Sequence, residues 1–304
     1  MREGDSRQLL LRWMPAVFVL IWATGFIVAR YGMPYAPPFS FLMLRYLLSI
    51  ACFLAWIVLA RVRWPQTPAQ WLHLGVTGAL MHGAYLGGVW AAVKAGMGSG
   101  LSALIVSIQP VLTAIWLSAF GDSAHRVSAR QWLGLGLGFA GLLLVVWRKL
   151  MTGSIGDQVS AANLAWAIAA LLAITAGTLY QKRWVRPCDV RSANTVQLMA
   201  AALVTAPLAW LEPETMQWNA QLAGALAWSV LGLTLGGSSL LYLLIQRGAA
   251  TSVASLMYLV PPATAVMAWL LFGEPITLLI ATGIALAALG VALVVRAGNP
   301  LRAT

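Results

Sequence analysis

The 304 residues are 61% hydrophobic and 9% charged, against about 45–50% apolar and about 25% charged in an ordinary soluble domain. That balance excludes a soluble globular enzyme, a disordered chain and a coiled coil. The net charge of +11 is spread over short gaps with no basic run of five or more, which argues for charge placed along membrane loops and against a nucleic-acid partner.

A membrane-spanning helix needs ~20 mostly apolar residues. Ten segments meet that criterion, at 13–30, 39–60, 71–93, 100–120, 131–148, 162–181, 193–211, 221–245, 252–272 and 277–296. The expected fold is therefore an all-α integral membrane protein with ten transmembrane helices and no additional soluble domain. Arg2, Arg7 and Arg12 precede the first segment as they would in a signal peptide, but the many apolar stretches that follow favour a retained first helix. Long alternating strands are absent from the sequence, which argues against a membrane barrel. Fourteen Lys and Arg fall on the side holding the N-terminus, four on the other, and Arg45 lies inside a segment. The positive-inside rule then places both termini in the cytoplasm.

Along the chain, each segment contributes few polar or bulky residues. The first carries Trp22, deep enough to escape the interfacial tryptophan belt, and the second carries Arg45. Arg45 can snorkel to the interface or act as a carboxylate clamp or gate charge. His82 and Tyr85 share a face of the third segment at helical spacing. They either line a water-filled cavity or form a packing pair, and Gly78 and Gly88 nearby permit close approach of a ligand or another helix. Pro110 should bend the fourth segment, as Pro262 should the ninth, and such bends can serve as hinges. Gly136-x-Gly138-x-x-Gly141 formally matches a dinucleotide fingerprint. It lies inside an apolar helix, so the small residues of the fifth and tenth segments are read as packing faces that could also mediate a homodimer. Trp166 opens the sixth segment. Ser238, Tyr242 and Gln246 make a polar stripe on the eighth, and Ser255 and Tyr258 precede Pro262 on the ninth.

The chain repeats internally. Pro110 through Phe120-Gly121-Asp122 aligns with Pro262 through Phe272-Gly273-Glu274 at a constant shift of 152, which also lays Arg45 on Gln197 and Gly25 on Gly177. Gly134 and Gly141 align with Gly283 and Gly290 at a shift of 149. Residues 1–150 and 151–304 thus read as two five-helix units. An odd helix number per unit inverts the second copy, a construction common in secondary transporters.

Trp22-Ala-Thr-Gly-Phe-Ile-Val-Ala-Arg30, Pro37-Pro38, Phe41-Leu-Met-Leu-Arg45-Tyr and the two Pro…Phe-Gly-Asp/Glu stretches resemble the drug/metabolite transporter superfamily. Within it, the chain is most similar to bacterial aromatic amino-acid exporters. Asp122 departs from the Gly-Glu seen in Gly273-Glu274. The resemblance implies export of amino acids, aromatic and other apolar ones above all, across a bacterial inner membrane by alternating access. Trp22 and Trp166 would meet the side chain, His82, Tyr85 and Gln246 would bond the polar end, and Tyr242 and Tyr258 would join the binding site. An exporter of drugs or quaternary amines is the alternative within transport, and an intramembrane enzyme or sensor the alternative outside it. The eight acids all lie outside mid-membrane, which argues against a carboxylate proton relay. No ATP-binding motif, metal-ligand spacing or catalytic constellation appears in the sequence, so no cofactor is expected.

Overall fold

The computed structural model of the protein describes residues 3–120, 129–152, 159–237, 240 and 259–297. Among them the architecture is helical with no strand. α1 (Glu3–Gly32) begins ten residues before the apolar stretch, so the basic N-terminal segment continues the first helix. α2 (Pro38–Leu59) starts at the proline pair, where a missing N–H and a fixed φ suit the first helical turn. α3 (Pro68–Lys94) is capped by the Thr67 side chain. α6 (Ala129–Thr152), α7 (Ala161–Trp184), α8 (Val190–Leu211), α9 (Ala220–Gly237), α10 (Val260–Phe272) and α11 (Leu278–Ala297) follow the fourth segment. α2, α3, α7, α8 and α9 are long and apolar enough to cross a membrane, and shorter apolar helices accompany them.

The expected single helix over 100–120 is two helices, α4 (Ser99–Val106) and α5 (Gln109–Phe120). The break falls at Ser107 and Ile108, so Pro110 stands in the first turn of α5 and not in mid-helix. Pro262 likewise lies in the first turn of α10, just after Leu259 caps it. Both prolines occupy positions where the absent N–H would have no intrahelical acceptor. α3 departs from regular α geometry as well. Residues Ala79–Ala84 form a π-helical turn, and residues Trp228–Gly237 of α9 do the same. A shift of 152 lays 79–84 on 231–236, inside the second π segment.

Packing follows small residues. α6 lies along α11, α2 along α8, and α4 on α10. α1 packs on α9 as α7 packs on α3, and α2 on α9 as α8 packs on α3. A Cβ on Gly141 would stand 2.5 Å from the carbonyl oxygen of Gly283, and one on Gly290 would strike the carbonyl oxygen of Gly134. Each of these contacts becomes the other under the shift of 149. The glycine faces read from the sequence therefore meet each other inside one chain, where close backbone approach replaces the missing hydrophobic drive between helices.

At the end of the bundle where α1 finishes, the connections are tied together. Glu212 accepts from the backbone N–H groups of Phe39 and Ser40, both at 2.8 Å, and from the Ser40 hydroxyl, so an acid from α8 caps α2. Lys94 pairs with Glu214 and donates to the Met33 carbonyl. The Gln217 N–H donates to Tyr35 O, and Ser99 N–H at the start of α4 donates to Glu274. The acid of the second Phe-Gly-Glu stretch is thus a helix cap, placed where a carboxylate suits the positive end of the helix dipole.

Candidate functional site

A cavity lies between α1, α2, α3, α7 and α9. It holds about 740 Å³ of empty space, its open mouth included. Its wall is mostly apolar: Trp22, Gly25 and Phe26 from α1, Met81, Leu86, Val89 and Trp90 from α3, Ile174 from α7 and Leu233 from α9. Four polar side chains interrupt it, Arg45, His82, Tyr85 and Thr234. The π turns bring several of these residues to the wall, since Met81 and His82 lie in the first and Leu233 and Thr234 in the second. An extra residue per turn leaves local backbone groups out of the usual pattern, and such turns recur at functional sites.

Arg45 does not snorkel. It is 7% exposed, and its Nε and Nη2 both donate to Thr234 Oγ1 at 3.2 Å. The Thr234 hydroxyl in turn donates to the Ser229 carbonyl at 2.9 Å, five residues back along the π turn. His82 Nε2 donates to Gln197 Oε1 at 3.3 Å. Tyr46 OH donates to the His82 carbonyl at 2.6 Å, which fixes the turn from α2. The close approach of α3 to α8 depends on Gly78, because a Cβ there would overlap the Gln197 backbone. Gly88 serves the same purpose against Trp166 O and Ala170 of α7, so both glycines admit another helix.

The sequence-predicted residues divide into three sets. Trp22, Arg45, His82 and Tyr85 come together at the cavity. Trp166 stands away from it, 41% exposed and edge-on to Phe39. The shift of 152 explains this, because it matches Trp22 with Ile174, and Ile174 is the α7 residue in the wall. Tyr242, Gln246 and Tyr258, with Ser238 and Ser255, lie outside the described residues. Thr234 and Trp90 were missed. Thr234 was findable as the repeat partner of His82, and Trp90, stacked on Phe41 at 4.5 Å, only as one apolar residue among many.

The EamA-like transporter family model matches the chain twice, over residues 13–147 and 162–296. The chain belongs to this family of membrane transporters. It is 24% identical over 283 residues to the "Uncharacterized transporter YvbV" of Bacillus subtilis, covering 92% of this chain and 89% of that one. It is 26% identical over 249 residues to the "Probable amino-acid metabolite efflux pump" of Escherichia coli K12, covering 82% and 72%. The "Uncharacterized inner membrane transporter YedA" of the same organism shares 24% over 265 residues, covering 85% and 82%. A solved crystal structure overlays with a TM-score of 0.64 at 16% identity, covering 92% of this chain and 95% of that one. That likeness shows the fold.

Proposed function

We propose that this transporter is a secondary exporter of amino acids, aromatic and other apolar ones first, residing in a bacterial inner membrane with both termini cytoplasmic. Ten membrane helices form two inverted units, 1–150 and 151–304, that rock about the cavity to open it to either side. One observation carries the reading. Arg45–Thr234 and Gln197–His82 are the same contact made twice, because 45 pairs with 197 and 82 with 234 at a shift of 152. Gly25 facing Leu233 and Gly177 facing Met81 repeat the pattern. Contacts that exchange in this way support two units related by a pseudo-two-fold axis through the cavity, the construction that lets inward-open and outward-open states interconvert.

The cavity wall suits such cargo. Trp22 and Trp90 offer flat apolar surface for a side chain, while Arg45, His82, Tyr85 and Thr234 offer hydrogen bonds. The efflux-pump names of the relatives in Escherichia coli and Salmonella typhimurium agree with amino-acid cargo. The scarcity of acids in the segments agrees with flux down the substrate's own gradient. Purified protein in proteoliposomes, given a panel of amino acids with and without a pH gradient, tests the proposal. Saturable flux of phenylalanine, tryptophan or leucine without a proton gradient is expected. Absence of flux for every amino acid, with protein that is folded by its melting curve, contradicts it.

A further inference from the structure

The cavity holds a buried cation without an anion. The Arg45 guanidinium meets one neutral hydroxyl, with both N–H groups of one edge converging on Thr234 Oγ1. That edge is the fork with which arginine grips a carboxylate. Among the described residues no carboxylate pairs with it. Asp189 is held by Arg191, Glu212 caps α2, Glu214 pairs with Lys94 and Glu274 caps α4. The remaining acids, Glu3, Asp5, Asp122 and Asp157, fall outside the apolar segments, and residues 238–258 contain none. A charge taken out of water is costly unless paired, and a missing partner is the expensive case.

We infer that the cargo supplies the missing charge: the cavity selects apolar molecules bearing a carboxylate, Arg45 is the anchor, and an amino group is not required. This deepens the carrier reading and rests on it for transport, though not for binding. The other polar groups of the wall, His82, Tyr85 and Thr234, bear no negative charge that an ammonium could pair with. A quaternary amine or cationic drug would enter beside a buried like charge, in a medium that screens it poorly. The wall thus separates two cargo classes that its aromatic residues alone would accept equally.

Three probes sharing one benzyl body decide the matter: 3-phenylpropionate, L-phenylalanine and phenethylamine. Each is tested for its effect on the melting midpoint of the purified protein and for competition with labelled phenylalanine in proteoliposomes. The two carboxylates are expected to bind and compete, and the amine to do neither. Arg45→Gln should weaken both carboxylates by at least ~10-fold, the scale of a lost charge-assisted bond, with Arg45→Lys in between. Phenethylamine competing as well as phenylalanine, 3-phenylpropionate failing to bind, or Arg45→Gln binding both acids as the wild type does would overturn the inference. Should Arg45→Gln fail to fold, the three-probe comparison on wild-type protein decides alone. Binding of 3-phenylpropionate without flux of any amino acid would leave the anchor standing and count against amino-acid export.

Discussion

Arg45 and Thr234, 189 residues apart in sequence, meet at the cavity wall at 3.2 Å, and adding or subtracting 152 turns that pair into Gln197 and His82. The donor is a charged guanidinium in one contact and a neutral group in the other, so the two contacts match in position and differ in charge. Removing Thr234's hydroxyl leaves the guanidinium with no bond among the described residues. Thr234→Val should cost about 1–3 kcal/mol, the penalty for orphaning a buried charged donor. Gln197→Leu should cost about 0.6 kcal/mol, the average for a neutral interhelical bond in a membrane. Denaturant titration in detergent measures both, and a larger loss for Gln197→Leu would reverse the assignment.

The closing helices give a stability test with an internal control. Gly141→Ala and Gly290→Ala each push a methyl group against a backbone carbonyl of the partner helix. Both should lower stability by about 1–3 kcal/mol, as overpacking does. Gly136, on the same helix as Gly141, has nothing within 4 Å of an added Cβ. Gly136→Ala should be neutral or gain about 0.5–1 kcal/mol from helix propensity. Melting midpoints of the three variants check this, and equal losses at all three would show that α6 and α11 do not pack as described.

If the units rock, the ties between α2 and α8 must loosen during the cycle. With Cys52 and Cys188 replaced by serine, cysteines at Ser40 and Glu212, whose side chains touch at 2.8 Å, should be joined by a short bifunctional thiol reagent. Flux should then stop, and the single-cysteine proteins treated alike should keep theirs. Unchanged flux in the joined protein would place the moving parts elsewhere.

Cys188 reports on orientation and on its own chemistry. It lies between α7 and α8, where burial first, and then the charge of Asp189, push its thiol above the usual range, against a hydrogen bond from Gln70. The thiolate is the reactive form. Maleimide labelling should therefore be slow at pH 7 and accelerate as pH rises beyond the ordinary thiol value of about 8.5. Asp189→Asn removes a charge that disfavours the thiolate and should speed labelling at neutral pH. An impermeant maleimide should reach Cys188 only from the cytoplasmic face, and labelling from the outside would invert the topology. Asp189 itself, held below the usual carboxylate range by its hydrogen bond to Arg191, stays charged throughout. Its stabilising share is present above its unfolded value of about 3.9 and is lost only as pH falls through the lower folded one.

Much of this was legible in the sequence, for identifiable reasons. Apolar runs near 20 residues mark helices because the bilayer leaves the backbone little choice, and α2, α7 and α8 begin and end within about three residues of their segments. The break at Ser107 is not legible, because a proline at 110 reads equally as a bend in one helix. A proline also suits the first turn of a new one, and periodicity alone does not separate the two. The π turns leave no mark in the sequence pattern, since the apolar run continues through 79–84 and 228–237 as it would in a regular helix. Arg45 was ambiguous because a position one or two turns into a segment permits snorkelling, and only the neighbours Thr234 and Tyr85 show which way the chain turns it. Trp166 shares its residue type with Trp22 but not its repeat register, which points to Ile174.

A carrier whose one cavity is shared by two exchanging units takes its cargo from side to side. Counterflow reads that exchange. Vesicles containing only this protein are loaded with unlabelled phenylalanine and diluted into a trace of labelled phenylalanine. A carrier that alternates predicts a transient accumulation of label above equilibrium, abolished in Thr234→Val protein that remains folded. Label that merely equilibrates, or does not enter at all, would contradict it.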